Sequence, residues 1–370
     1  MRSRGHSGGM VEGPLSLAAR IHALDSEDMF GHVSRFVDDL EAAFAAVDDR
    51  TCPWLAELRT RTWAGVLCLG MGGSAAGGSF LSSLADQDGT IPVLSHADAA
   101  LPGWVSAEWL VLATSYSGNT AETLSATRTA IERGLTVIVV ATGGELAGLA
   151  ETHEHVYLVG APGGQPPRSA FGHIFGRQVA LMRSLGLLSA GHDDAGMLHR
   201  LRAASQRHDP RDGDEGGVEA LSEALLERSV ALLGPTELAP VLTRFKNQLN
   251  ENSGRFARVG VVPEMNHNEV VAWGGTGDVA DPTVADQAVL LLTWRGLQPE
   301  VRSRIGWMVQ HLETEAAWQL AGEGESLLEV MLYHSIVMDW ISVTLAVRSG
   351  KNPTSIGPID GLKEHLARLQ

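Results

Sequence analysis

The feature that most constrains the fold is the junction near residue 115. An apolar run, Trp109 to Ala113, ends in Ser115-Tyr116-Ser117-Gly118-Asn119-Thr120, and a helical pattern from Glu122 to Arg133 follows at once. A short, wholly apolar run bounded by turn residues suits a strand buried on both faces. A strand that enters a helix through so short a turn implies a parallel sheet with helices packed on it. The turn also has a chemistry. Three short hydroxyls, an amide and the free N–H groups of a helix N-terminus supply directed donors for an oxyanion, aided by the helix dipole. A phosphate monoester suits that set, and no lysine is needed. The competing reading makes Ser115 and Thr120 ordinary helix caps, yet one cap does not call for three hydroxyls in six residues.

The pattern recurs along the first half. A strand from Ala64 to Leu69 runs into Gly70-Met71-Gly72-Gly73-Ser74-Ala75-Ala76-Gly77-Gly78, a turn in which Gly72 and Gly73 let backbone N–H groups approach an anion. Gly70-x-Gly72-x-x-Ala75, with Asp98 after a second strand Ile91–Ser95, also fits the spacing of a dinucleotide fingerprint. A dinucleotide does not require the second anion loop at Ser115, whereas a sugar phosphate held between two loops uses both. A fourth strand, Leu135–Ala141, ends at Thr142-Gly143-Gly144, and a fifth, His155–Val159, leads to Gly163-Gly164-Gln165-Pro166-Pro167-Arg168-Ser169. The proline pair stiffens that loop, which suits an arginine aimed at a fixed target. A surface arginine paired with a nearby acid is the equal alternative for Arg168.

At 370 residues the chain is long enough for two domains with a buried core in each. Residues 1–14 read as a disordered start. Helical spacing from Leu15 to Leu58 places Met29, Phe30, Val33, Phe36, Val37 and Leu40 on one apolar face, so the first domain covers 15–207. The segment 208–217 is acidic and rich in Gly and Pro, and reads as a solvated loop or linker. Beyond it the alternation restarts with a helix at Val218–Leu226 and a strand at Ser229–Gly234, so residues 218–370 form a second domain of the same kind. The fold class is α/β: two domains, each a parallel sheet flanked by helices. Further on, Gln287–Trp294 reads as a strand, Pro299–Leu312 as a helix, and Glu325–Arg348 as a long helix whose buried stripe holds Met331, Asp339 and Trp340.

Composition excludes several classes of function. With 28 Lys and Arg against 44 Asp and Glu the formal net charge is -16, and no basic patch or stripe for nucleic acid stands out. A small anion remains compatible, because a site can be locally electropositive. Only Cys52 and Cys68 are present, which fits a reducing cytoplasm and argues against a structural zinc cluster. The fourteen histidines form no H-x-x-x-H pair, so no metal is expected. The N-terminus lacks the apolar core of a signal peptide, and no apolar run approaches the ~20 residues of a membrane span.

The second half carries the candidates for proton chemistry. Arg244 to Ser253 is a polar helical segment with Phe245 and Leu249 as its apolar face, and Glu251 lies near its end between Asn250 and Asn252, two amides able to hold it. A strand from Phe256 to Val262 follows, then Pro263-Glu264-Met265-Asn266-His267-Asn268-Glu269. Sixteen residues separate Glu251 from His267, enough for one strand and two turns, so a carboxylate and an imidazole can serve one site. The plainer readings are a solvated glutamate and a structural histidine. Lys363, in a last helix beyond Gly350-Lys351-Asn352-Pro353, reads from its sequence surroundings as solvated.

Five motifs together, Gly-Met-Gly-Gly-Ser-Ala at 70–75, Ser-Tyr-Ser-Gly-Asn-Thr at 115–120, Pro-Arg at 167–168, Asn-Glu-Asn-Ser at 250–253 and Asn-His-Asn-Glu at 266–269, resemble the bifunctional phosphoglucose/phosphomannose isomerase family. The resemblance runs in the family's order from about residue 60. It implies two sugar isomerase (SIS) domains, a homodimer, and no cofactor or metal. It further implies that Ser74, Ser115, Ser117 and Thr120 hold the substrate phosphate and that Arg168 stabilises a charged intermediate. Glu251 is then the base that moves a proton between C2 and C1, and His267 of the neighbouring subunit assists ring opening. Lys363 matches a lysine near the family's C-terminus. Gly254 and Asn352 depart from the pattern, where relatives often carry Lys and Asp, without removing a catalytic group. The rival functions are isomerisation of another sugar phosphate, a silent sugar-phosphate sensor, and nicotinamide cofactor binding. Retention of both Glu251 and His267 favours an enzyme.

Overall fold

The computed structural model describes residues 15–368 apart from 192 and 278, so the expectation of a disordered start at 1–14 lies outside the described residues. Two parallel sheets organise the chain. β1 (Gly65–Leu69), β2 (Val93–His96), β3 (Trp109–Thr114), β4 (Thr136–Ala141) and β5 (Val156–Gly160) lie in the order β2-β1-β3-β4-β5. β6 (Ser229–Pro235), β7 (Ala257–Val262), β8 (Gln287–Trp294) and β9 (Ala317–Gly322) lie in the order β7-β6-β8-β9. Every pairing is parallel. The second sheet thus repeats the order of the first four strands.

Helices on both faces leave β1 and β4 buried at every residue, which is why they read as unbroken apolar runs. Sequence patterning did not mark β9: it is an edge strand that alternates exposed and half-buried residues, with only Trp318 and Leu320 facing the core. Met29, Phe30, Val33, Phe36, Val37 and Leu40 are all buried, as their spacing predicts, in short helices before β1.

Two expectations change. The Leu327–Arg348 helix is buried all round rather than along one stripe, from Leu327 to Val347. By length and composition this 22-residue helix is apolar enough to cross a membrane, contrary to the sequence-based expectation, but its apolar window lies wholly inside the fold. It carries two acids into the core because each has a guanidinium: Glu329 pairs with Arg200 and Asp339 with Arg244. The acidic segment 208–217 is also not simply solvated. His208, Asp209 and Pro210 are buried, and Asp209 is held by Arg211 at 2.6 Å.

Strand order reverses direction between β1 and β3, where the crevice beyond the carboxyl ends collects ligands in open parallel sheets. The register aligns Leu69 with Ala113, which sets the Gly70–Ser74 turn beside the Ser115–Thr120 loop.

Candidate active site

The Ser115–Thr120 loop is braced from within. Ser115 is buried; its hydroxyl lies 2.9 Å from the Thr120 hydroxyl and accepts a bond from the Gly118 N–H at 3.1 Å. Asn119 accepts the Glu145 N–H at 2.9 Å, tying the loop to the next helix. Gly118 has φ +71°, and a Cβ there would fall 1.8 Å from the Gly143 carbonyl oxygen, so only glycine fits. Thr120 stands at the cap position of the Ala121–Glu132 helix without making a side-chain capping bond. The capping alternative is therefore not what the structure adopts, and that hydroxyl leaves the helix's first N–H groups uncapped. Ser117 is exposed at the rim. Across the crevice, Gly72 precedes the Gly73–Asp88 helix at φ 54°, again with no side-chain cap. Ser74 accepts the Tyr116 N–H at 3.3 Å, which joins the two loops. Asp98, the acid of the dinucleotide reading, is exposed and turned onto its own backbone, 3.3 Å from the Ala100 N–H.

Arg168 and Glu251 meet at the edge of this crevice. The Arg168 side chain is only 4% exposed; its Nε donates to Asn252 Oδ1 and its Nη2 to the Pro353 carbonyl, each at 2.6 Å. Nη1 is left facing the Glu251 carboxylate at 3.8 Å. Burial pulls the Arg168 pKa down and the Glu251 carboxylate opposes that shift. Burial raises the Glu251 pKa, against the attraction of Arg168, Arg244 and Lys363. The direction for Glu251 is upward because 3.8 Å is too long for a hydrogen bond that would repay desolvation. The flanking amides do not hold the carboxylate, as sequence position had suggested: Asn250 donates to the Arg255 carbonyl, and Asn252 serves Arg168 and the Ser342 hydroxyl.

Glu251 sits in a π-helical turn, Leu249–Ser253, that continues the Ala239–Gln248 helix. Such turns are rare and recur at functional sites because they re-aim a side chain out of the α-helical register. Below it, Arg244 forms two 2.8 Å bonds to Asp339, Gln248 adds a third to the same carboxylate at 2.7 Å, and the Arg244 guanidinium lies 4.5 Å above the Phe171 ring. Gly73, Arg168, Phe171, Arg244, Gln248 and Glu251 enclose about 20 Å³, room for a single water. A cavity of about 690 Å³ lies instead at the carboxyl ends of β6 and β8; Asp86 and Glu237 line it with neither lysine nor arginine, so it does not suit a phosphate.

A curated relative from Aquifex aeolicus, "Bifunctional phosphoglucose/phosphomannose isomerase", is 31% identical over 317 residues, covering 83% of this chain and 91% of the relative. The chain belongs to this family. A second member, from Caldicellulosiruptor bescii, is 31% identical over 82% of this chain and 90% of its own. Residues 217–366 match the family model described as "Bacterial phospho-glucose isomerase C-terminal SIS domain". Among solved structures, tagatose-6-phosphate ketose/aldose isomerase from Escherichia coli superposes with a TM-score of 0.71 at 12% identity, over 92% of this chain and 96% of that one, which shows the shared fold.

Of the residues that the resemblance to phosphoglucose/phosphomannose isomerases singles out, the crevice gathers Gly72, Gly73, Ser74, Ser115, Ser117, Thr120, Arg168 and Glu251. His267 is not among them. It is exposed at the end of the Glu264–His267 turn and does not line the Glu251–Arg168 cleft of its own chain. Lys363 is exposed, 4.0 Å from Asp360, yet near enough for its charge to act on Glu251. Sequence reasoning missed Arg244 and Asp339 as a buried pair beneath Glu251. It also missed Lys351, whose ammonium donates to the Glu251 backbone carbonyl at 3.3 Å and whose pKa is lowered, first by burial and then by Arg168. Lys351 has no local signal, and only the fold brings it there.

Proposed function

We propose that this protein is an aldose–ketose isomerase that interconverts glucose 6-phosphate or mannose 6-phosphate with fructose 6-phosphate through an enediolate, with Glu251 as the base. The observation that carries this reading is the half-buried Glu251 carboxylate, raised in pKa, 3.8 Å from a guanidinium whose other nitrogens are already bonded. A carboxylate of raised basicity is suited to remove the weakly acidic proton beside a carbonyl. The fixed Arg168 charge meets the oxyanion that develops, and needs no reorganisation to do so.

The phosphate rests on the uncapped helix N-termini and on the Ser74, Ser117 and Thr120 hydroxyls, with Ser115 shaping the loop. Binding at this non-reacting end positions the C1–C2 edge over Glu251. Because the cleft itself holds about 20 Å³, the sugar lies across its mouth. His267 assists ring opening from the neighbouring subunit of a homodimer, and Lys363 adds positive charge near the site; exposure of His267 away from its own cleft supports an intersubunit role. We place the enzyme in the cytoplasm, a compartment that suits two free, buried cysteines.

The test is formation of fructose 6-phosphate from glucose 6-phosphate and, separately, mannose 6-phosphate, on EDTA-treated wild type and Glu251→Gln. Turnover that survives EDTA and drops by ~10² or more in the variant is expected for loss of a general base. Wild type that turns over neither sugar, but is stabilised against heat by one of them, would establish a sensor in place of an isomerase.

A further inference from the structure

Three loops meet at this site, and one residue bonds to all of them. Tyr116 donates its N–H to Ser74 at 3.3 Å, and its carbonyl accepts both the N–H and the hydroxyl of Thr142, at 3.0 and 2.7 Å. Its phenolic oxygen accepts the Gln165 N–H at 3.3 Å. Gln165 opens the Gln165-Pro166-Pro167-Arg168-Ser169 segment. Two consecutive prolines fix φ and remove two N–H donors, so this stretch moves as a strut and its position is set where it is anchored. On the far side the Gln165 Nε2 donates to Asp39 Oδ2 at 3.1 Å. The other Asp39 oxygen lies 3.1 Å from His173 Nε2, with 14% of the Asp39 side chain exposed. Asp39 comes from the Phe36–Ala45 helix, outside both sheets.

We propose that Tyr116, Gln165 and Asp39 are positioning residues that clamp the Arg168 strut to the phosphate loop, so that phosphate in the loop stiffens the strut and keeps the guanidinium in its preorganised place at the reacting end. The inference rests on the isomerase reading for its kinetic consequence, but not for its structural one. Arg168 is anchored at its tip by Asn252 and Pro353, from the second sheet's half of the chain, and at its base by this clamp. Releasing the base lets the strut shift beneath the side chain, which pulls on the two tip bonds and tilts the guanidinium. A small misplacement of a preorganised group is enough to slow chemistry while leaving binding intact. The carboxylate is too enclosed to be a solvated surface acid, and its two partners satisfy one oxygen each.

The experiment combines Tyr116→Phe, Asp39→Asn and the double variant. Each single change is expected to lower kcat about tenfold, with KM and the inhibition constant of inorganic phosphate within about twofold of wild type. Since both act through Gln165, the double variant should lose about tenfold in kcat, not a hundredfold. Hydrogen exchange of the peptide spanning 161–170 gives a readout that needs no turnover. Inorganic phosphate should protect it in wild type and not in either single variant. The proposal is overturned if phosphate leaves that peptide unchanged in wild type, if the variants transmit protection normally, or if kcat losses multiply in step with falling thermal midpoints. Absence of turnover in wild type would instead refute the isomerase reading, and the exchange result would still decide the clamp.

Discussion

Removing the Asp339 carboxylate isolates the cost of the buried charge beneath Glu251. In the folded protein Arg244 and Asp339 expose 6% and 4% of their side chains. Two bonds of 2.8 Å join them, and the Gln248 amide adds a third of 2.7 Å. Asp339→Ala leaves the guanidinium enclosed, without a hydrogen-bonded counter-ion, between the Phe171 ring face and the Glu251 cleft, and breaking a buried pair in this way costs about 3–5 kcal/mol. Unfolding entropy of about 2.1 cal/mol/K per residue gives roughly 0.8 kcal/mol/K for a chain of this length, so the thermal midpoint should fall by about 4–6 °C. Scanning calorimetry or fluorimetry measures this directly. Arg244→Met combined with Asp339→Leu should recover most of the loss, because an apolar pair of similar volume carries no desolvation penalty. A double variant as unstable as Asp339→Ala, or more so, would show that packing volume and not the unpaired charge sets the cost, and the reasoning would fail.

Other perturbations test the site itself. A carboxyl of raised pKa loses its basic form already at a higher pH as acid is added, so the acidic limb of kcat/KM should lie above the ordinary glutamate value of 4.5. Arg168→Gln removes the charge that opposes that shift, and should move the limb further up while lowering kcat; a limb that stays put or moves down would exclude Glu251 as the base. Gly118→Ala forces a Cβ to within 1.8 Å of the Gly143 carbonyl at positive φ. The loop must open, and KM for the sugar phosphate should rise by about tenfold or more, with steady-state kinetics as the check. Cys68 is buried with its thiol pushed up to about 12, and burial also raises Cys52. Thiol titration of the native protein should therefore find neither, and find both in denaturant.

The parts of the molecule legible in its sequence are those governed by local rules. A wholly apolar run that ends in glycine and serine before a helical pattern specifies a buried parallel strand, its turn and the chemistry of that turn within some fifteen residues. β1, β3 and β4, with the turns that follow them, obey that rule, whereas β2, β5 and β7 are only partly buried and were marked by their place in the strand–helix alternation. β9 escapes it because an edge strand needs only two inward side chains, and a pair of apolar residues is no signal. The long helix escapes differently. Its sequence contains polar residues that suggest an outward face, but the partners that allow those residues inside, Arg200 for Glu329 and Arg244 for Asp339, come from elsewhere in the chain.

What the sequence determined alone, then, is the two-sheet architecture, the two glycine- and hydroxyl-bearing turns and a short list of candidate site residues. The tertiary structure decided what those residues touch. It spends the Ser115 hydroxyl on bracing the loop, gives Asn252 to Arg168 instead of Glu251, and separates His267 from the Glu251 cleft of its own chain. It also supplies partners with no sequence signature: Asp39 for Gln165, 126 positions away, and Asp339 for Arg244, 95 away. The physical reason is that turn and strand propensities act between near neighbours, whereas the orientation and protonation of a buried charge depend on whichever side chains the folded chain brings within hydrogen-bond reach.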